Sequence, residues 1–348
     1  MRRPPCDCSL GSQTTPPMQP FDPQAFEKTL GGKPIRLYTL RSKDLTVTVH
    51  NYGCVIVQLL FKGKDLVLGY DTIDKYITSE EKYFSAVVGP VCNRICPPTA
   101  TIDGQVHTFK DHLMILHGDA LLTCHVWDVV ESSAEHVTMR TSFTNALNFP
   151  GKVDYEVKFS VAGSVFRLEI NAVSDKATIL NCTSHPYFNF GDANILNHTL
   201  QINAEQYLEV DDNCVSCRYA PVKGTPFDFT APKKIGQDLD LSNEQLRIGV
   251  GYDHNMCVTP NTEQVVLSYA DVTMRITSNQ PGIQFYNGGC LTTKDKCHQG
   301  KYGVTYGPKQ GVCLETQHYP NTCNEPTFPQ IHVKAGDKYV NWTEFAFE

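Results

Sequence analysis

Six short segments place polar side chains in otherwise apolar surroundings, and their residue types suit acid–base chemistry and the binding of hydroxyl groups. In "VVGPVCNRIC", Asn93 and Arg94 follow a buried-looking run, and the Arg94 guanidinium offers a planar set of donors. His117 in "MILHGD" stands after three apolar residues and before a glycine. His185 in "NCTSHPYFNF" precedes a proline that keeps the chain extended, with Tyr187 and Phe188 as a candidate pocket wall. "GVGYDHNM" contributes Asp253, and in "PGIQFYNGG" Gln284 and Tyr286 alternate with Ile283 and Phe285. Glu315 in "GVCLETQHYP" is flanked by Val312, Cys313 and Leu314. Such a carboxylate is at least partly desolvated and needs either a partner or a task.

Taken singly, each of these residues also has a structural reading. A lone histidine is usually a satisfied core or surface residue, and aromatics such as Tyr187 in strands mostly pack. Arg94 fits an ion pair with Asp103 or another carboxylate, Glu315 included, and Asp253 fits a turn after Gly251. No phosphate-binding glycine loop, dinucleotide fingerprint, GxSxG or HExxH motif occurs. Cys6-x-Cys8 and Cys214-x-x-Cys217 have half-site spacing for zinc, but such pairs are common by chance. No metal and no cofactor are expected.

The elements that must position these groups are strands. Apolar residues recur at every second position: Leu45, Val47 and Val49; Val137, Met139 and Phe143; Phe166, Leu168, Ile170 and Ala172; Val272, Met274 and Ile276. That period marks strands with one buried face. Asp103-Gly104, Pro150-Gly151, Pro281-Gly282 and Asn287-Gly288 punctuate them as turns. Helical candidates are short, around residues 24–28 and 242–246. The expectation is an all-β chain, a large antiparallel sandwich or barrel-like body in one domain over residues 21–348. Residues 1–20 carry five prolines and few large apolar side chains, the composition of a mobile tail.

With 348 residues, 41% hydrophobic and 19% charged, the chain can build a large core. Its net charge is −7, and no basic run exceeds Arg2-Arg3. Nucleic acid and anionic membranes are therefore disfavoured as partners, and a neutral small molecule fits better. No apolar run approaches the ~18 residues of a transmembrane helix, and no signal-peptide core precedes the body, so a soluble cytoplasmic protein is expected. Of the fourteen cysteines, Cys54, Cys92, Cys182, Cys257 and Cys313 lie in apolar, strand-like sequence and read as small hydrophobes with reduced thiols. The sequence leaves monomer and dimer open.

The motifs "NRI", "LHG", "HPYFNF", "GTPFDF", "GYDHN", "PGIQFYNG" and "GVCLETQHYPN" occur together in this order. In this the chain resembles the aldose 1-epimerase (galactose mutarotase) family, from "NYGCVIVQLLFKGKDLVLGYD" to "GDKYVNWTEFAF". The resemblance implies a β-supersandwich without a metal, acting on free hexoses such as glucose and galactose. It assigns His185 as general acid and Glu315 as general base, with Arg94, His117 and Asp253 binding sugar hydroxyls. Asn93, Gln284 and Tyr187, beside or within the same motifs, join the expected binding set.

Two departures bear on substrate preference. Pro90 stands where many members have an arginine, and Asp119 follows His117-Gly118 where a second glycine is usual. A sugar-binding or sugar-sensing protein that kept the cleft, and a hexose-phosphate mutarotase, are the competing readings. Retention of both His185 and Glu315 favours the enzyme, because a lectin needs hydroxyl partners but no matched acid and base.

Overall fold

The computed structural model describes residues 21–109, 113–291 and 299–348. The tail expected over residues 1–20 lies outside the described residues. Alternating burial follows the sequence: Phe166, Leu168, Ile170 and Ala172 are buried along Val165–Ser174, with partly exposed residues between them. Val272, Met274 and Ile276 behave the same way along Val272–Ser278.

Three antiparallel sheets carry the architecture. Four strands, Leu37–Arg41, Leu45–His50, Val55–Phe61 and Lys64–Asp65, pair in chain order. A nine-stranded sheet runs in the order Asp128–Ser132, His136–Thr144, Lys152–Ala162, Val165–Ser174, Lys338–Phe347, Val272–Ser278, Thr262–Tyr269, Thr199–Ile202, Lys233–Lys234. A six-stranded sheet runs in the order Tyr187–Phe188, Val312–Gln317, Gly282–Tyr286, Asp253–Val258, Ala204–Val210, Ser216–Pro221. Val47 and Leu59, Phe166, Ile276 and Phe345, and Met256, Phe285 and Leu314 come from the three sheets yet belong to one contiguous apolar cluster. The strands therefore share a core, as expected of a sandwich.

Helices are brief. Among the described residues the α-helices are Ile73–Thr78 and Glu244–Ile248, started by Thr72 and Asn243, whose side-chain oxygens accept from the N–H groups of Lys75 and Leu246. The candidate near residue 24 is a single 3-10 turn, Pro23–Phe26. Cys54, Cys92, Cys182 and Cys313 are buried as small apolar side chains, whereas Cys257 is only half-buried.

The six-stranded sheet positions the site because both of its faces are covered. All six residues of Val312–Gln317 are buried. Val312 and Leu314 face the shared core, and the Thr316 hydroxyl hydrogen-bonds that of Thr343 in the nine-stranded sheet at 2.5 Å. Period two then turns Cys313, Glu315 and Gln317 to the opposite face.

Candidate active site

Strand register builds the floor of a cleft on that opposite face. Gln284 lies opposite Glu315 and Asn255, while Tyr286 lies opposite Asp253 and Cys313, and Cys313 opposite Tyr187. One row across the sheet is thus Asn255, Gln284, Glu315; the next is Asp253, Tyr286, Cys313, Tyr187. The Gln284 amide donates to Oδ1 of Asp253 at 2.7 Å, diagonally between the rows. On the far side of the Glu315 strand, His185 is fixed through its backbone: its N–H donates to the Ala86 carbonyl, and its own carbonyl accepts the Ser85 N–H. Nε2 of His185 then stands 3.5 Å from Oε1 of Glu315.

The loops bearing Asn93 and His117 lock onto each other. The His117 N–H donates to the Asn93 carbonyl at 3.0 Å, and the Asn93 N–H donates to Nδ1 of His117 at 3.2 Å. The segment from His117 to Ala120 is left-handed throughout, with φ of 49°, 57°, 52° and 59°, a conformation that stores strain where the surrounding structure over-determines it. Gly118 is obligatory, since a Cβ there would lie 2.2 Å from the Gly89 carbonyl oxygen and 2.7 Å from Cδ of Pro90. Pro90 therefore packs beneath the His117 turn, and neither it nor Asp119 is among the residues lining the cleft.

The cleft, open to solvent, is lined by Asn93, Arg94, His117, His185, Tyr187, Asp253 and Glu315, joined by Glu81, Tyr83, Leu116, Tyr286 and Cys290. Seven of the eight expected site residues thus converge. The eighth, Gln284, is buried beside Glu315 and hydrogen-bonds Asp253 instead of lining the cleft. Arg94 pairs with Asp253, NH1 to Oδ2 at 3.5 Å, and not with Asp103 or Glu315 as its sequence context allowed. Glu81 and Tyr83 were missed: Glu80-Glu81-Lys82 reads as a solvated polar run, and only the fold carries it to the cleft.

Electrostatics separate the two central groups. Burial pushes the Glu315 carboxyl well above its usual range, with Asp253 adding to the effect, Arg94 opposing it, and Glu81 adding a little more. Burial also pulls His185 down to about 4. Desolvation disfavours both charges, so the pair favours holding one proton between them over a wide pH span. Oε2 of Glu315 is buried with no hydrogen-bond partner among the described residues, a free lone pair where a substrate hydroxyl proton can be taken. Sγ of Cys313 lies 3.4 Å from Nδ1 of His185, on the ring edge away from Glu315.

His117, His185 and Glu315 bring three potential ligand atoms within 4.8 Å of one another. The tautomer argues against a cation there. Nδ1 of His117 already accepts the Asn93 N–H, so burial of the neutral ring leaves the proton on Nε2. That nitrogen is then a donor to oxygen, the arrangement suited to a hydroxyl or a developing oxyanion.

Comparison with known proteins places nearly the whole chain in a family. The Aldose 1-epimerase family model matches residues 36–346. Galactose mutarotase of Sus scrofa is 32% identical over 338 residues, spanning 91% of this chain and 95% of that protein. Aldose 1-epimerase of Haemophilus influenzae is 30% identical over 339 residues, spanning 91% and 97%. Among solved structures, the GalM/aldose epimerase homologue from C. elegans has a TM-score of 0.81 at 26% identity, over 90% of this chain and 98% of that one. Galactose 1-epimerase from Lactobacillus acidophilus, at 24% identity, shares the fold with a TM-score of 0.83 over 92% and 96%. With matches this extensive at both the sequence and the fold level, the chain belongs to the aldose 1-epimerase family.

Proposed function

We propose that the chain is an aldose 1-epimerase, interconverting the α and β anomers of free hexoses such as glucose and galactose by opening and reclosing the ring. The observation that carries this reading is the buried pair of His185 and Glu315, 3.5 Å apart at the cleft floor, with Glu315 Oε2 unpartnered among the described residues. The ring oxygen and the anomeric hydroxyl of a cyclic aldose sit on the same carbon, so an acid and a base this close can serve both at once.

Glu315 takes the proton of the anomeric hydroxyl while His185, protonated in the productive form, donates to the ring oxygen. The C1–ring oxygen bond breaks, and an open-chain aldehyde is left with the proton on Glu315 and a neutral His185. After rotation about C1–C2, Glu315 returns its proton to the carbonyl oxygen and His185 removes that of the hydroxyl that closes the ring. Each group ends as it began, so no external acid, base or redox cofactor enters the balance. Arg94, Asp253, Asn93 and the Nε2–H of His117 hold the sugar hydroxyls, and Tyr187 and Tyr286 wall the cleft.

Residues 21–348 act as one catalytic unit in this reading, and the cytoplasm is its proposed location. No helix among the described residues is long and apolar enough to cross a membrane. Polarimetry of freshly dissolved α-D-glucose and α-D-galactose tests the function: purified protein accelerates the change in rotation, and an unchanged rate defeats the proposal in favour of a sugar-binding protein.

A further inference from the structure

The cleft holds more acid than a neutral sugar requires. Three carboxylates line it, Glu81, Asp253 and Glu315, against the single guanidinium of Arg94, and no lysine lines it among the described residues. Arg94 is already committed to Asp253 at 3.5 Å, and burial keeps the rings of His117 and His185 from serving as standing cations. Among the described residues, Glu81 has no ion-pair partner. Its Oε1 accepts the Tyr83 N–H at 3.1 Å, and burial lifts its carboxyl to about 7 against that hydrogen bond, with no cation among the described residues contributing.

The walls around it are aromatic. The Tyr83 ring stands 4.8 Å from that of His117, and the Tyr187 ring stands 5.0 Å from His185 and 6.1 Å from Tyr286. A half-buried carboxylate among phenol rings is a setting that recognises an ammonium group, through charge-assisted hydrogen bonds and attraction to the ring faces. Glu81 also acts electrostatically on Glu315 and Tyr187, which places it toward the reacting end of the cleft.

We infer that the cleft accepts amino-substituted aldoses, free 2-amino-2-deoxyhexoses in their ammonium form, with Glu81 as the carboxylate that meets the ammonium group beside the reacting carbon. The turnover of such sugars rests on the mutarotase reading above, whereas their preferential binding does not. No step beyond that ring opening and closure is added.

The test compares galactosamine with galactose and glucosamine with glucose, with the N-acetyl derivatives as uncharged controls, at one near-neutral pH and ionic strength. Exchange NMR reads KM for anomer interconversion and titration calorimetry reads Kd. Each amino sugar is expected to bind about tenfold more tightly than its neutral parent, with the N-acetyl control losing that advantage and Glu81→Gln bringing the amino-to-neutral ratio toward one. A ratio near one in the wild type, or a preference that survives in Glu81→Gln, overturns the inference. Turnover of the neutral hexoses without such a preference leaves the mutarotase reading standing, and a calorimetric preference without turnover of any sugar defeats only the mutarotase reading.

Discussion

Sγ of Cys313 lies 3.4 Å from Nδ1 of His185, two residues along the strand from Glu315. A thiol can donate to a neutral imidazole nitrogen and accept from an imidazolium N–H, so it can follow His185 through both protonation states. As a positioning residue, Cys313 is expected to act on kcat more than KM. Cys313→Ala should lower kcat about tenfold, the worth of one hydrogen bond in the barrier, and Cys313→Ser should restore most of it. Equal losses in both variants would assign the effect to packing.

Glu315→Gln and His185→Asn should each lower mutarotation by roughly 10²–10⁴-fold, the usual contribution of one acid or base. Thermal stability should hold or rise slightly in Glu315→Gln, because the substitution removes a buried carboxyl whose Oε2 has no hydrogen-bond partner among the described residues. Polarimetry and a melting curve on the same preparations check both parts.

The pH profile should follow the one-proton form of the pair. Below about 4, the value to which burial draws His185, the pair takes a second proton and Glu315 can no longer act as base. At high pH the pair loses its last proton, at a point above the ordinary carboxylate range because burial raises Glu315. The acid limb of kcat is therefore expected well below the ordinary histidine range in protein that remains folded. A limb near 6.5 would mean that His185 titrates as though solvated.

Stability has its own acid dependence. His50 and His254 are fully buried, and burial draws each down to about 3. Below about 6.5 the unfolded chain binds these protons and the folded chain does not, so stability falls as pH falls. Each ring should cost about 2 kcal/mol at pH 5 relative to pH 7. His50→Phe keeps a ring against Tyr76, whose centroid lies 4.7 Å away, and should flatten the loss of melting temperature between pH 7 and 5.

Free glucose or galactose should exceed the matching 6-phosphate in kcat/KM by at least about tenfold. A phosphate carries close to two charges near neutral pH and needs a cluster of cations, whereas among the described residues Glu81, Asp253 and Glu315 line this cleft with Arg94 as the one guanidinium or ammonium group. Exchange NMR at one ionic strength reads the ratio directly.

The strands were legible because period-two burial is a local property: Phe166, Leu168, Ile170 and Ala172 announce their face without reference to any partner. The motifs likewise led to His185 and Glu315. What stayed hidden was long-range. The Asp253 partner of Arg94 follows from the fold of the sheet and its loops, and the support of Asp253 by Gln284 follows from strand register. Glu81 stands between Glu80 and Lys82, and nothing local in that charged run marks it as a cleft residue. The helix Ile73–Thr78 is too short for periodicity to reveal, although Thr72 marks its start.

The strand Lys338–Phe347 lies between Val165–Ser174 and Val272–Ser278 and pairs with both. It is the keystone of the nine-stranded sheet, yet both of its neighbours precede it by many residues. A nascent chain still lacking residues 338–347 presents two half-sheets, each with an unpaired edge of the kind that invites pairing with another molecule. Until that strand is in place, shielding of those two edges is the need that a chaperone would meet.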